Sequence, residues 1–413
     1  MNPIRRLILM MVALGAFCAL AITFNYAVNP YGAWRVRLVD PFFREDADPR
    51  LMTPYLLRTV DPRMLIIGSS RVRIGMRIKQ GYHDGVLNGA LQGAGTEEAA
   101  TVVRVALKKP KLKVIVWDLD FFAFNRNFAR PNPETMERLE GDRWRTFTET
   151  LLSLGALDAS RMELNRAIHG REVLGPEWSL PIPWPESYLC KTLALPDPHS
   201  LDRQSAAQIQ TELIHYTPDY TGYSLAADRV KEYADTVAEA RRRGIQVIPF
   251  VPPISAYVLE MIRQSGQWNT FQRWKVALLA GGPYWDFSGY NRFGRSPELF
   301  GDVLHFKTVV GHQLLRRLLG LDCAGCDNLT SVITNAGQWV DNETICGVLA
   351  RQDEMMRDAT AEPNRFSARA SAALVARGFS PSALMAREGP PWNPSDAGCT
   401  ADTAPGAHPL EVR

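Results

Sequence analysis

Two short apolar runs separated by an amphipathic segment constrain the fold of this chain more than any other feature. Residues 64–67 (MLII) and 111–117 (KLKVIVW) have the length and apolar character of buried strands. Between them, residues 96–107 repeat apolar side chains with helical period, behind an N-cap candidate at Thr96. A strand, a helix and a strand at this spacing form a right-handed crossover, so the two strands are parallel. The pattern predicts an α/β domain.

The same alternation continues along the chain. Further strands are expected at 86–88, 245–250 and 285–287, and further helices at 225–243 and 309–319. These elements predict a three-layer, flavodoxin-like α/β domain with a parallel sheet over residues 62–320.

The segments around this domain have different compositions. Residues 28–61 are rich in Pro and Arg and are expected to form a stalk. Residues 126–222 contain Pro-rich stretches and a helix near 134–154, and are expected to form an insertion over the carboxyl edge of the sheet, where it would shape a substrate cleft. Residues 321–360 form a C-terminal extension with a helix at 343–356. The Ala-, Pro- and Ser-rich residues 361–413 are predicted to be largely disordered.

The N-terminus carries an uncharged apolar run. Residues 7–24 follow Arg5 and Arg6 and have nearly the length that spans a bilayer. An uncleaved anchor over residues 1–27 is the favoured interpretation, with a removed signal peptide and a buried core helix as alternatives. The simplest topology is a single-pass inner-membrane protein whose domain faces the periplasm or cell exterior.

Charge and cysteine content exclude some functions. With 47 basic and 44 acidic residues, the chain has no global field that favours nucleic acid, so no nucleic-acid partner is expected. Cys323, Cys326 and Cys346 suggest a disulfide or free thiols. The Cys323-Ala-Gly-Cys326 pair is also half of a zinc motif, but the second half is missing, so neither a metal nor a cofactor is expected.

The first chemical motif follows the first strand. Ser70 closes the sequence Ile66-Ile67-Gly68-Ser69-Ser70, which ends a buried strand at a tight turn. A serine there lies where turn amides can stabilise an oxyanion. A serine that caps the next helix is the alternative. The motif differs from the GxSxG elbow of α/β-hydrolases because Val72 occupies the second glycine position.

The second motif precedes the closing helix. Asp302 lies three residues before His305, which allows its carboxylate to reach Nδ1 and leave Nε2 free to take a proton from a serine. An Asp/His pair that caps a helix would look the same.

Together, the strand-Gly-x-Ser block and the Asp-x-x-His block resemble the first and last blocks of the SGNH (GDSL-like) hydrolases. The resemblance implies that Ser70 is the nucleophile, served by Asp302 and His305. The family's second block resembles residues 88–93, which implies that the amides of Ser70 and Gly93 form an oxyanion hole. The family's third block has an asparagine after a strand, and here the nearest polar match is Asp120. This departure implies either that Asn125 or a backbone amide replaces the missing donor, or that the domain has weakened or altered chemistry.

The resemblance extends to membrane-tethered members associated with the acylation of envelope polysaccharides. It implies a serine esterase or O-acyltransferase, acetyl being the expected group, that acts on a polysaccharide or other acylated glycan. A membrane-bound acyl donor protein would be a further partner. Arg71 is a candidate for substrate binding, or otherwise part of a solvated helix start. The alternatives are a catalytically silent scaffold of a polysaccharide modification or export complex, and a metal-binding redox protein built on the CxxC pair.

Overall fold

The computed structural model describes residues 2–36, 38, 49–76, 85–128, 131–169, 200–321, 333 and 335–387. The strands are β1 (Met64–Ile67), β2 (Val86–Asn88), β3 (Val114–Asp118), β4 (Gln246–Val251), β5 (Tyr284–Asp286) and β6 (Gln338–Val340). The helices are α1 (Pro3–Val28), α2 (Pro49–Thr59), α3 (Ser70–Gly75), α4 (Thr96–Ala106), α5 (Pro133–Glu140), α6 (Arg143–Phe147), α7 (Leu154–His169), α8 (Ala206–Tyr220), α9 (Ala227–Arg242), α10 (Ala256–Gln264), α11 (Trp268–Leu278), α12 (Thr308–Leu318), α13 (Ile345–Thr360), α14 (Arg365–Ala376) and α15 (Pro381–Ala386).

The six strands form one mixed sheet in the order β2-β1-β3-β4-β5-β6. The first five are parallel, and β1 pairs with β3 so that Ile67 lies opposite Trp117. The prediction of an α/β fold with a parallel sheet is thus confirmed for five strands. It is wrong at one edge, because β6 pairs antiparallel with β5.

Helices cover the sheet in two groups. Helix α4 packs against α9, where Arg104 forms an ion pair with Glu232, and α3 packs against α12. Right-handed crossovers place these two pairs on opposite faces of the sheet. The buried side chains of both faces belong to one continuous apolar cluster. The helix pair α3 and α12 carries the candidate functional site.

The two N-terminal helices, α1 and α2, differ in how far they are buried. Helix α1 is 26 residues long and apolar enough to cross a membrane, and none of its most apolar 18-residue stretch is buried. This exposure excludes the buried core helix as an interpretation of the segment. Helix α2 belongs to the core, since Tyr55 and Leu57 are fully buried. The prediction of a stalk over residues 28–61 is therefore wrong for α2.

The insertion at 126–222 divides into two parts. The helix predicted near 134–154 is broken, because Gly141 ends α5 with φ +98° and a π-helical turn, Thr148–Leu152, follows α6. Helix α5 packs on α2, and α7 packs on α1. Helix α8, which begins in a capping box of Ser205 and Gln208, reaches the carboxyl edge of the sheet. The Pro-rich stretch 180–185 lies outside the described residues.

The C-terminal region is more ordered than its composition predicts. Strand β6 joins the sheet, so the α/β domain does not end at residue 320. Helix α13 confirms the helix expected at 343–356. The prediction of disorder from residue 361 is wrong for α14, which packs on α8 and α10 and buries Ala370, Ala373 and Leu374 completely. Small alanine side chains let these helices approach closely.

Two cysteines lie in the described part of the chain. Cys18, on α1, is a free thiol, whereas Cys346 is disulfide-bonded. This supports the disulfide interpretation for Cys346. Cys323 and Cys326 lie outside the described residues, within which no group of three or more metal-binding side chains occurs.

Candidate active site

Ser70 is placed at the carboxyl end of β1 by a tight turn. Gly68 adopts φ +150°, and a Cβ atom there would lie 2.4 Å from the Cβ of Asp118 on the adjacent strand, so the position requires glycine. The Ser69 side chain caps α3 by accepting a hydrogen bond from the amide of Arg71 at 3.1 Å. Ser70 is therefore the first residue of α3, and its side chain is 7% exposed.

A close approach of two helices brings His305 to Ser70. His305 lies just before α12, and Gly311 of α12 packs so tightly that an added Cβ would lie 2.0 Å from the carbonyl oxygen of Gly75 on α3. The Thr308 hydroxyl also donates to the Ile74 carbonyl, at 3.3 Å. Any larger side chain at position 311 would force α3 and α12 apart.

Ser70, His305 and Asp302 form one hydrogen-bonded series. The Ser70 Oγ lies 2.8 Å from His305 Nε2, and His305 Nδ1 lies 2.7 Å from the Asp302 Oδ2. With the Nδ1 proton donated to the carboxylate, Nε2 accepts from the serine hydroxyl. The structure thus brings together the three residues that the two sequence motifs singled out.

The carboxylate of Asp302 is held by its own loop. Its Oδ1 accepts the backbone amides of Leu304 and His305, both at 2.8 Å. Burial favours the neutral acid, but the hydrogen bonds from His305 and these amides outweigh it and lower the pKa of Asp302 below the usual aspartate value. The group is therefore ionised at neutral pH, as required to orient an imidazole.

Residues of the insertion support this loop, and the sequence motifs did not reveal them. Glu212 of α8 accepts the backbone amide of Val303 at 3.1 Å, and Gln204 donates to the other oxygen of Glu212 at 3.0 Å. From the sheet side, the Ser255 hydroxyl donates to the Val303 carbonyl. Burial raises the pKa of the half-buried Glu212. The loop carrying Asp302 and His305 is thus fixed from two sides.

The predicted oxyanion donors lie on two adjacent turns. The amide of Ser70, at the first position of α3, has no intrahelical partner. The turn after β2 runs beside it, since Gly89 and Leu91 donate to the carbonyls of Ile66 and Gly68 at 2.9 and 3.1 Å. Gly93, farther along this turn, adopts φ +59°.

Asn88 of the second block stabilises the same region. Its Nδ2 donates to the carbonyls of Val72 and Met76, both at 3.0 Å, and its Oδ1 accepts the Ala90 amide at 3.1 Å. The side chain thus closes the end of α3 against the turn after β2.

Asp120 and Arg71 form a buried ion pair with each other, and neither has the role that the sequence suggested. The Oδ1 of Asp120 lies 2.9 Å from Arg71 Nε, and the Oδ2 accepts the Ser69 hydroxyl. Arg71 also donates to the Pro253 carbonyl at 3.2 Å and is 1% exposed. Both Asp120 oxygens are engaged, one by the charge of Arg71 and one by the Ser69 hydroxyl, so the group does not take the place of an oxyanion-donating amide. Arg71 is neither solvated nor open to a substrate.

A second buried carboxyl lies beside this pair. Asp118 accepts the Ser69 amide at 3.3 Å. Burial and the neighbouring Asp120 carboxylate raise the pKa of Asp118 well above the usual aspartate value. The neutral form of Asp118 is thereby favoured beside the pair of Asp120 and Arg71.

Two titratable residues of α8 lie near the same cluster. Burial raises the pKa of Asp219 to about 6, against the attraction of Arg71. Burial and the carboxylates of Asp302 and Glu212 raise the pKa of Tyr216 to about 12. Both residues belong to the insertion, so their proximity to the site can be seen only in the folded chain.

Comparisons with protein-family models, curated proteins and solved structures found no match to this chain. The likeness of its sequence blocks to SGNH hydrolases therefore stays a prediction, and the site is defined by its geometry. A hydroxyl, an imidazole and a carboxylate in series, on residues at the carboxyl edge of a mostly parallel sheet, form an arrangement suited to nucleophilic acyl transfer.

Proposed function

We propose that this protein is a serine-dependent ester hydrolase or O-acyltransferase of SGNH type in which Ser70 is the nucleophile. The observation that carries the proposal is the series Ser70–His305–Asp302, with contacts of 2.8 and 2.7 Å. The strand order β2-β1-β3-β4-β5 supports it as well, because this is the flavodoxin-like order and Ser70 follows β1 at the topological switch point.

Acylation begins with proton transfer from Ser70 Oγ to His305 Nε2 as Oγ attacks the ester carbonyl. Asp302 keeps the imidazole oriented and stabilises the imidazolium that forms. The tetrahedral oxyanion is held by the amides of Ser70 and Gly93. His305 then donates its proton to the departing alcohol oxygen, and the acyl group remains on Ser70 as an ester.

Deacylation repeats these steps with a new acceptor. His305 takes a proton from the acceptor hydroxyl, which attacks the acyl-Ser70 carbonyl, and returns the proton to Ser70 Oγ. Water as acceptor makes an esterase, whereas a sugar hydroxyl makes an O-acyltransferase. Both reactions use the same side chains, and the exclusion of water from the cleft decides between them.

The proposed location follows from α1, which is long and apolar enough to cross a membrane. An anchored domain outside the inner membrane would meet cell-envelope or exported polysaccharide, and an acetyl ester of such a glycan is the proposed substrate. For the transferase reaction, a membrane-bound acyl donor protein is the proposed partner.

A catalytically silent scaffold is the second candidate function, and the state of Asp120 favours it. The corresponding SGNH asparagine would supply an oxyanion donor, whereas Asp120 is committed to Arg71 and Ser69. A scaffold in a polysaccharide modification complex needs the fold but no oxyanion site.

Acetate release from p-nitrophenyl acetate and from acetylated glycans tests the proposal. The full chain in detergent should release acetate from at least one of them, and the Ser70→Ala variant should not. The Ser382→Ala variant, which changes an exposed serine on α15, is the matched control and should retain turnover. A wild-type rate equal to that of Ser70→Ala on every substrate would support the scaffold instead.

A further inference from the structure

One face of α7 carries an apolar stripe that is exposed at its two ends and half-buried between them. The stripe consists of Leu154, Leu157, Leu164 and Ile168, with spacings of three, seven and four residues that keep side chains on one side of a helix. Leu154 is 79% exposed and Ile168 is 68% exposed. A neighbouring face of α7 is covered, since Ala156, Ala159, Ser160 and Glu163 are buried.

This apolar stripe is continuous with the end of α1. Phe24 of α1 and the four stripe residues line a single open groove of about 530 Å³, together with Asn165 and the ion pair of Asp158 and Arg161. The junction is fixed, because Asn25 is buried and donates to the Leu151 carbonyl at 2.9 Å. The stripe therefore begins three residues after a buried contact with the end of the apolar helix.

The length of α1 sets the level of this junction. Its 26 residues extend for roughly 39 Å at 1.5 Å per residue, whereas the hydrocarbon core of a bilayer is about 30 Å thick. The last turns of a spanning α1 therefore lie at the membrane surface. Phe24 is in these turns and lines the groove together with residues of α7, which packs on α1.

Aromatic residues accumulate near the same junction. Trp144 of α6 is 72% exposed and stacks on Phe147 with ring centroids 5.8 Å apart. Tyr26 pairs with Trp34, which donates to the Thr150 hydroxyl at 3.1 Å. Trp and Tyr are enriched where membrane proteins meet the interface.

From the continuity with α1, the level of the junction and the exposed stripe, we infer that α7 lies in the membrane interface as a second contact of the domain with lipid. The occupant of the groove beside Phe24 is then the acyl-chain and glycerol region of the adjacent leaflet. Arg161 on the same helix is paired with Asp158, and its side chain is 69% exposed, so it can extend to phosphate groups. Two attachments would hold the domain at a fixed height and tilt over the bilayer.

The inference rests on the membrane anchorage of the proposed function but not on its ester chemistry. Photocrosslinking of the full chain in phosphatidylglycerol and phosphatidylethanolamine vesicles tests it, with a benzophenone amino acid at one position per variant. The test positions are Leu157 and Ile168. Leu20, exposed on α1, reports insertion of the anchor, and the exposed Lys231 on α9 is the negative control.

The yield of lipid adducts at Leu157 and Ile168 is expected to be about tenfold higher than at Lys231. Leu20 should give a similarly high yield. Adducts at Leu20 together with Lys231-like levels at Leu157 and Ile168 would overturn the inference while leaving the anchor intact. Protein–protein adducts at the stripe, which indicate a second copy or another protein, would overturn it too. Absence of lipid adducts at Leu20 would refute the anchorage itself and the inference with it.

Discussion

The carboxylate of Glu212 accepts the backbone amide of Val303 at 3.1 Å and so joins the insertion to the loop that carries Asp302 and His305. Helix α8, which is distant from this loop in the sequence, thereby helps to hold the His305 imidazole against Ser70. The position of the imidazole matters because proton transfer depends steeply on the distance and alignment of the reacting groups.

Glu212→Ala should lower kcat about tenfold with little change in KM, because the unpaired Val303 amide costs roughly 1–3 kcal/mol and loosens the loop. Glu212→Gln keeps an oxygen acceptor and should stay near the wild-type rate. Steady-state hydrolysis of p-nitrophenyl acetate measures both variants. Equal damage by the two substitutions would show that the charge of Glu212, and not its hydrogen bond, supports the site.

Asp302→Asn should lower kcat about 10²–10⁴-fold, because an amide facing Nδ1 favours the tautomer in which Nε2 carries the proton and cannot accept one from Ser70. The depressed pKa of Asp302 keeps the wild-type group ionised through the neutral range, so the defect should persist from pH 6 to 8. Pre-steady-state acylation rates measure it, with the exposed Asp158→Asn as control. Acylation at the wild-type rate would exclude Asp302 from the mechanism.

Arg71→Met should destabilise the fold by about 3–5 kcal/mol, because it leaves the Asp120 carboxylate buried without its cation. Adding Asp120→Asn should restore most of the loss. Thermal unfolding of the detergent-solubilised chain measures both variants. If Arg71→Met melted like the wild type and only raised KM, Arg71 would be a substrate-binding residue after all.

Asp219 should make stability depend on pH. Its pKa is about 6 in the folded chain and near the ordinary aspartate value when unfolded, so the unfolded chain loses this proton first. Stability relative to Asp219→Asn should therefore fall as the pH rises from about 4 to 6, by up to roughly 3 kcal/mol at about 1.4 kcal/mol per pH unit.

Chemical unfolding at several pH values measures this difference, with Asp158→Asn as the exposed control. A difference between wild type and Asp219→Asn that stays constant from pH 4 to pH 7 would contradict the assignment.

The parallel strands could be predicted because strands buried on both faces appear as continuous apolar runs, as in residues 64–67 and 114–117. Strand β6 could not, since Gln338-Trp339-Val340 has no such run and its place depends on pairing with β5. The prediction of disorder is wrong for helix α14 because its Ala- and Ser-rich composition resembles that of disordered chains, whereas its alanines are buried between helices.

Some residues of the candidate site could likewise be predicted from the sequence, and others could not. Ser70, Asp302 and His305 could be predicted because each lies in a local motif beside a predicted strand or helix. Glu212 could not, because its partner Val303 is 91 positions away and a single glutamate on an amphipathic helix carries no signal. The burial of Arg71 depends on Asp120, which only the adjacency of β1 and β3 brings near.

Reaction of the full chain with a fluorophosphonate, followed by intact mass and peptide mapping, tests the nucleophile most directly. An activated serine beside an imidazole base attacks such a probe, so the wild type should gain one phosphonyl adduct on Ser70. Ser70→Ala should gain none, and Ser382→Ala, which changes an exposed serine, should still be labelled. A wild-type chain that stays unlabelled, or an adduct that persists in Ser70→Ala, would contradict the assignment of Ser70 as nucleophile.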